Sequence, residues 1–111
     1  MAGLVRGDVV VVPFPFSDLS TAKRRPALVL ASLQGDDVLL CQITSQTTRD
    51  DYAVPLAEHD FTEGTLRKPS NVRPNRLFTA DKGIVLYRVG RIRPIKTEEA
   101  IRRIEQILTA P

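Results

Sequence analysis

Near its start the chain carries the run DVVVVPF, Asp8–Phe14, which is short, apolar and rich in β-branched residues. β-Branched side chains favour extended backbone, and a run of this length is typical of a strand buried on both faces rather than of a helix. A second run, Pro26–Ala31, opens with proline, which a strand tolerates at its first residue. A third, Val38–Ile43, follows the turn signal Gln34–Asp37, so we expect these two runs to pair as a hairpin.

The rest of the chain predicts further short strands and one helix. Thr97 is a good N-cap, and Ile101, Ile104 and Leu108 have helical spacing, which predicts an amphipathic helix over roughly 97–109. The remaining strands are predicted at Tyr52–Leu56 (an edge), Asn71–Arg73, Arg76–Thr79 beyond Pro74, and Tyr87–Pro94, with a charged loop at Glu58–Thr65 that bends at Gly64. The pattern indicates a mainly β protein, a small barrel with a C-terminal α-helix, as one domain over residues 1–111.

The composition excludes several functional classes. No apolar run approaches the ~20 residues that span a bilayer, and the first residues lack the order of a signal peptide. The single cysteine, Cys41, and the single histidine, His59, exclude an internal disulfide and argue against a zinc site or a Ser–His–Asp triad. We therefore expect a cytoplasmic protein with no membrane contact, no metal and no cofactor.

The charge is distributed unevenly along the chain. The formal net charge is +3, but Arg67–Arg93 holds eight basic residues against the single acid Asp81, whereas Asp50–Glu63 holds five acids and no Lys or Arg. Arginine's planar fork suits bidentate contact with phosphate, so one face of the protein is a candidate site for a polyanion. The alternative is an ordinary solvated surface of mixed charge.

The residue types available for chemistry are Arg, Thr, Ser, Asp and Asn, because the sequence shows no metal constellation and no glycine-rich phosphate loop. Such a set suits phosphodiester transfer within RNA, where the substrate supplies its own nucleophile in the 2′-OH. The protein then has to deprotonate that hydroxyl, stabilise the charged phosphorane and protonate the leaving 5′-oxygen.

Four segments of the chain carry a family resemblance: Arg6–Val10, Arg24–Leu30, Ile43–Gln46 and Val72–Lys82. In this order and spacing they resemble the MazF/PemK family, the toxins of bacterial type II toxin–antitoxin modules, over nearly the whole chain. The resemblance implies an SH3-like barrel of the MazF, PemK and CcdB kind that forms a homodimer. It also implies a metal-independent endoribonuclease that cuts single-stranded RNA (mRNA) at short sequences, leaving a 2′,3′-cyclic phosphate and a 5′-OH. A cognate acidic antitoxin that folds over the Arg-rich stretch is implied as partner.

The resemblance also implies roles for particular residues. Arg25 matches the arginine at the scissile phosphate, and Thr44 matches the threonine that helps stabilise the transition state. Arg73 and Asn75 fall on an arginine and a carboxylate that have acid and base roles in one branch of the family. Asn75 departs from that pattern because an amide cannot act as a general base. It remains a candidate for reading a base edge or orienting the phosphate.

The loop before Arg25 departs from the family as well, since it lacks the usual glycine-serine-glutamate start. It offers Ser17, Asp18 and Ser20 instead, and Asp18 is open to three interpretations: a turn residue, a base, or an ion-pair partner of Arg25. Asp18 and Ser20 join Arg73 and Asn75 as candidate catalytic or RNA-positioning residues. The candidate RNA-binding residues are Ser17, Lys23, Arg24, Gln46 and Arg76.

Rival interpretations stay open beside this one. Arg25 also suits a solvated loop, and Thr44 an ordinary strand position. Four aromatic residues are candidates either for stacking on bases or for core packing: Phe14, Phe16, Tyr52 and Phe78. One rival function is a gyrase-poisoning module of the same fold, against which the pairing of Arg25 with Thr44 argues. The other is an inactive member that binds RNA or peptide, which Asn75 and the altered loop keep open.

Overall fold

The valine run forms the strand β1, and six further strands assemble around it into one antiparallel sheet, curled into a half-barrel. The computed structural model describes residues 3–14, 23–46 and 50–111. The sheet order is β4-β6-β3-β2-β1-β7-β5. The elements are β1 Asp8–Phe14, β2 Lys23–Ser32, β3 Asp37–Thr44, β4 Val54–Leu56, β5 Phe61–Glu63, β6 Ser70–Asp81, β7 Tyr87–Ile92 and the helix α1 Pro94–Thr109, with 3₁₀ turns at Glu58–Asp60 and Lys82–Ile84. The predicted mainly β fold with a C-terminal helix is confirmed.

Both faces of the central strands are buried, as the valine run predicts. Successive side chains of a strand point to opposite faces of the sheet, so Val9 packs in one core cluster and Val10 in the other. In the neighbouring strand Leu28 joins the first cluster and Val29 the second. The helix covers the first cluster through Ala100 and other apolar residues on the same side. Two cores therefore enclose β1 and β2.

The β2–β3 hairpin is confirmed, but β2 begins earlier than predicted. Its first four residues, Lys23–Pro26, pair with β1, and pairing with β3 begins at Ala27. Pro26 thus lies inside the strand rather than at its start. The missing N–H is tolerated because the strand is paired on one side at this point.

Strand β6 is continuous where the sequence predicts two strands broken at Pro74. In its ladder with β3, Cys41 faces Leu77 and Ile43 faces Val72, so the four residues 73–76 bulge opposite one residue of β3. Pro74 is buried in this bulge. A bulge accepts proline because its extra residues leave the ladder, which is why the strand continues past it. The predicted break between two strands at Pro74 is wrong, although Pro74 does lie in the irregular part of β6.

Four other predicted elements need correction. The segment Glu58–Thr65 is not simply a loop, because Phe61 is buried and draws residues 61–63 into a strand beside β7. The helix begins at Pro94 rather than near Thr97, since proline is favoured in the first helical turn, where its missing N–H has no partner to lose. Thr97 is buried instead of capping. The strands at Tyr52–Leu56 and Tyr87–Pro94 are shorter than predicted, and β4 lies at an edge as expected.

Two glycines allow β5 and β7 to meet backbone to backbone. A Cβ atom at Gly90 would lie 2.0 Å from the carbonyl oxygen of Glu63, and one at Gly64 would lie 2.1 Å from that of Val89. We expect Gly90→Ala to lower the free energy of unfolding by about 2–3 kcal/mol, because backbone has to move to admit the methyl group. Urea unfolding measures the loss.

Gly35→Ala is the matched control for this prediction. Gly35 lies in a turn with positive φ, unlike Gly90, and a Cβ atom there meets nothing within 4 Å, so conformational strain of about 1 kcal/mol is the expected cost. An equal loss in the two variants would contradict the close approach at Gly90.

Candidate active site

The strands β2 and β3 separate at their surface ends. Their ladder runs through Leu28 opposite Cys41 and ends with Ala27 opposite Gln42. If the β2–β3 ladder continued for two more residues, Arg25 would lie opposite Thr44. Instead, Arg25 stays with β1, opposite Val12, and Thr44 stays with β6, opposite Asn71. Pro26 contributes to this divergence because it has no N–H to donate.

A cavity of about 250 Å³ fills the gap between the two strands. Pro26 and Ile43 line it together with Arg25 and Thr44, and residues of the segment that leads from β5 to β6 also contribute to the lining. The complete lining is Arg24, Arg25, Pro26, Ile43, Thr44, Ser45, Leu66, Arg67, Lys68 and Ser70. Four of these residues are cationic, and no carboxylate is among them. A group of like charges attracts an anion, and arginine forms strong hydrogen bonds with phosphate oxygens, so this lining suits a phosphate group.

The cations of this cavity differ in their pairing from five of the other basic residues. Within residues 3–14, 23–46 and 50–111, the structure shows ion pairs from Arg73, Lys82, Arg88, Arg91 and Lys96 to acidic side chains. In the same ranges no acidic side chain pairs with the four cations of the cavity, Arg24, Arg25, Arg67 and Lys68. Six basic residues elsewhere in these ranges also have no acidic partner: Arg6, Lys23, Arg76, Arg93, Arg102 and Arg103. What distinguishes the cavity is that four cations without a carboxylate partner share one lining.

Thr44 is oriented by its own loop. Its Oγ1 accepts a hydrogen bond from the backbone N–H of Gln46 at 3.2 Å. A hydroxyl that accepts in this way still has its own proton to donate. The half-buried Thr44 can therefore present an O–H donor to an anion in the cavity.

Arg73 and Asn75 do not line this cavity. They lie on the β6 bulge and meet Asp50, a residue that the sequence did not single out. The Arg73 guanidinium donates to the Asp50 carboxylate at 3.0 Å, and the Asn75 side chain also hydrogen-bonds to it. Burial raises the pKa of Asp50, but the N–H of Tyr52 and the hydrogen bonds from Arg73 and Asn75 outweigh it and leave the pKa below its usual value. The family pattern has a carboxylate where this chain has Asn75. Here Asp50 lies close by as an ionised carboxylate paired with Arg73.

The other predicted residues are dispersed. Arg24 lines the cavity, and Gln46 adjoins it through its backbone contact with Thr44. Lys23 is exposed at the start of β2, and Arg76 is exposed in the β6 bulge; neither lines the cavity. Ser17, Asp18 and Ser20 lie outside the described residues.

Sequence reasoning missed two basic residues of the cavity wall. Arg67 and Lys68 belong to the basic stretch Arg67–Arg93, but no motif in the sequence predicts that they lie beside Arg25 and Thr44. They come from the segment between β5 and β6, and the strand β5 was itself not predicted. The available signal was their position next to Pro69 and Ser70, at the start of a strand.

A second cavity, of about 460 Å³, adjoins the first and shares four of its residues: Arg24, Pro26, Leu66 and Arg67. Tyr87 and Arg88 of β7 line its far side. Arg88 donates to Asp8 at 3.0 Å and also pairs with Glu63. Asp8 is fully buried, and it accepts further hydrogen bonds from Arg91 and from the N–H of Val5.

Asp8 stabilises the fold in a pH-dependent way. Burial raises its pKa, but the Val5 N–H and the two arginines outweigh that effect, so the folded-state pKa lies below the unfolded value. A carboxyl whose pKa is lower in the folded state stabilises the fold at pH values above its unfolded-state pKa of about 4. This stabilisation is lost as the pH falls through the folded-state pKa. We expect Asp8→Asn to lose about 2 kcal/mol of unfolding free energy at neutral pH, less than for a fully buried pair because both arginines reach solvent.

The measurement is urea unfolding of both proteins from pH 7 to pH 2. The difference in unfolding free energy should stay constant above about pH 4 and shrink below it. A difference that persists unchanged to the lowest pH would contradict an ionised Asp8.

The cysteine and the histidine take no part in either cavity. Cys41 is fully buried, its Sγ donates to the carbonyl of Arg73 at 2.9 Å, and burial raises the pKa of the thiol to about 12. The side chain of His59 is 84% exposed. None of the helices in the described part of the chain has the length and apolar character to cross a membrane.

Fold and cavity together define a small, curled β protein with a cationic site at its diverging strands. The sequence profile of the PemK-like, MazF-like toxins of type II toxin–antitoxin systems matches residues 5–108. The chain belongs to this family. A search of curated protein sequences finds no match.

Solved structures share the fold at low sequence identity. An endoribonuclease in complex with its cognate antitoxin, from a mycobacterial species, matches with a TM-score of 0.74 and 15% identity, covering 100% of this chain and 98% of that one. The MazE–MazF complex of Deinococcus radiodurans (Form III) matches with a TM-score of 0.76 and 19% identity, covering 95% of each chain. MazF of the same organism matches with a TM-score of 0.75 and 20% identity, covering 95% of this chain and 96% of that one.

Proposed function

We propose that this toxin is an endoribonuclease that cuts single-stranded RNA at short sequences in the cavity between Arg25 and Thr44. The single observation that carries the proposal is the cavity itself, where a hydroxyl donor and four cations that pair with no described carboxylate share one lining at two diverging strands. The similarity in fold to a mycobacterial endoribonuclease supports the same function.

The reaction we infer uses the nucleophile of the substrate. The 2′-oxygen of the RNA bonds to phosphorus while the bond from phosphorus to the 5′-oxygen breaks. The 2′-hydroxyl gives up its proton and the leaving 5′-oxygen gains one, which yields a 2′,3′-cyclic phosphate and a 5′-OH without a metal ion. Arg25 would neutralise the charge that develops on the non-bridging oxygens, and the Thr44 hydroxyl would donate to them.

We infer that a homodimer is the active form and that an acidic antitoxin is the inhibitor. Two copies side by side would join two cationic cavities into a longer track for an RNA strand. The solved relatives that contain an antitoxin, MazE in one case, support such a partner. A negatively charged segment of the antitoxin would compete with RNA for the cations of the cavity.

The test uses purified protein, a long single-stranded RNA and excess EDTA, with every cut and its new 5′ end mapped. We expect discrete cuts at one short sequence, each with a 5′-OH. Random cutting, a requirement for added metal, or 5′-phosphate ends would contradict the proposal.

One observation favours a second candidate, an inactive member that binds RNA without cutting it. Arg73, to which the resemblance gives an acid or base role, is engaged by Asp50 rather than facing the cavity. In that case the same assay would show RNA binding by a folded protein and no new ends. Gyrase inhibition without RNA binding would instead indicate the gyrase-poisoning rival.

A further inference from the structure

We propose that the second cavity binds a nucleobase next to the scissile phosphate, stacked on Tyr87, and that this contact helps to determine which RNA sequence is cut. The inference rests on the proposed function, which it deepens by naming a specificity-determining residue. Nothing in the sequence motifs pointed to Tyr87.

The first argument is that the two cavities are adjacent and share lining residues. The two cavities share a wall made by Arg24 and Arg67, so an RNA strand whose phosphate lies beside Arg25 has its neighbouring nucleotide over this wall. The second cavity is also the larger, about 460 Å³ against about 250 Å³. The smaller, cationic cavity suits a phosphate, and the larger one suits a base.

The second argument is the chemistry of Tyr87. Among the described residues that line the second cavity, Tyr87 is the aromatic one, and it is 47% exposed. Tyr87 is the first residue of β7 and lies opposite Val11 of β1. The backbone next to it is also held to β1, because the N–H of Leu86 donates to the carbonyl of Val11 at 2.8 Å. A ring that is exposed on a fixed strand offers a stacking surface at little entropic cost.

Of the aromatic residues suggested by the sequence, the three that the structure describes do not offer this surface. Phe14 and Phe78 pack against each other with ring centroids 5.8 Å apart, and Phe78 also packs on the second core cluster. Tyr52 is exposed but lines neither cavity. Phe16 lies outside the described residues.

The third argument is the fixed polar rim of the cavity. Arg88 is held by Asp8 and Glu63, so it serves as a rigid wall rather than as a ligand for phosphate. Thr65 on the same rim donates its hydroxyl to the carbonyl of Leu66 at 3.0 Å, which leaves its oxygen to accept a hydrogen bond from a base edge. Stacking on Tyr87 together with a fixed acceptor would favour some bases over others.

The experiment compares Tyr87→Ala, Tyr87→Phe and the control Leu86→Ala, whose residue is similarly exposed at 45% but lines neither cavity. Each protein cuts a pool of RNAs that is randomised at the positions flanking the mapped cut. We expect Tyr87→Ala to raise KM roughly 10- to 100-fold and to flatten the base preference at one flanking position, with kcat changed far less. Tyr87→Phe should keep the preference, and Leu86→Ala should match the parent.

A binding measurement separates this proposal from the proposed function. An RNA with a single 2′-deoxy residue at the cut cannot be cleaved through its own 2′-OH, so its affinity reports the cavity without the chemistry. If the parent cuts no RNA, the all-ribose RNA stays intact and serves as the probe instead. Weaker binding by Tyr87→Ala then supports the base site without any cleavage. Equal binding by Tyr87→Ala and the parent, with an unchanged base preference, overturns the base site even if the parent is an active ribonuclease. A parent that binds no RNA overturns both the base site and the proposed function.

Discussion

Arg25→Ala is expected to lower kcat for RNA cleavage by about 10³-fold while leaving the fold intact. The reason is that a guanidinium beside the scissile phosphate stabilises charge that forms in the transition state, and such contacts contribute on the order of 10²- to 10⁵-fold. Arg25 is half-buried in the cavity and has no acidic partner within the described residues, so its charge is available to the substrate. Single-turnover cleavage of one RNA that contains the mapped site measures the effect.

Two variants make this result specific. Arg25→Lys keeps the charge but loses the planar fork, so an intermediate rate is expected. Arg102→Ala removes the same charge from an exposed position on the helix and should cut like the parent. Parental activity in Arg25→Ala, or an equal loss in Arg102→Ala, would show that the cavity is not the catalytic site.

Thr44→Val is expected to lower kcat by about 10²-fold. Valine keeps the size and the β-branched shape but removes the hydroxyl, whose oxygen accepts from the Gln46 N–H and whose proton is free to donate to the phosphate. Loss of one preoriented donor to developing charge typically costs about 10²- to 10³-fold. The measurement is again single-turnover cleavage, with urea unfolding to show that the variant is folded.

Thr44→Ser is the control for this prediction. Serine restores the hydroxyl with a freer side chain, so we expect activity within about tenfold of the parent. A valine variant as active as the serine variant would show that Thr44 acts only as a strand residue, which is the rival interpretation of this position.

Much of the fold was predictable because local patterns agree with the packing. The run Val9–Val12 alternates between two cores, and no amphipathic helix would bury it so completely. The hairpin follows from Gly35, whose positive φ suits a tight turn between two apolar runs. The MazF/PemK resemblance was confirmed, since the family profile covers residues 5–108.

The errors fall where distant residues decide the outcome. Phe61 forms a strand because it reaches the core, not because its charged neighbours favour one. The chain continues through Pro74 because the bulge accepts it opposite β3. The helix begins at Pro94 because proline suits the first turn, which overrides the capping signal at Thr97.

The candidate site was predicted in part, for the same reason. Arg25 and Thr44 stand at the ends of two paired strands, so the motifs that carry the resemblance also place them beside one cavity. Arg67 and Lys68 join them through a tertiary contact with no sequence pattern. The pairing of Arg73 with Asp50 also joins distant segments, β6 and the start of the segment before β4, which sequence spacing cannot reveal. The roles of all these residues remain predictions.

The most direct test of the account is the fate of an RNA that carries one 2′-deoxy residue on the 5′ side of the mapped cut. If the cavity stabilises attack by the substrate's own hydroxyl, the all-ribose RNA should be cut there, and the 2′-deoxy RNA should bind with similar affinity and stay intact. Cleavage of the 2′-deoxy RNA at the same position would contradict the account, because another nucleophile would then be at work.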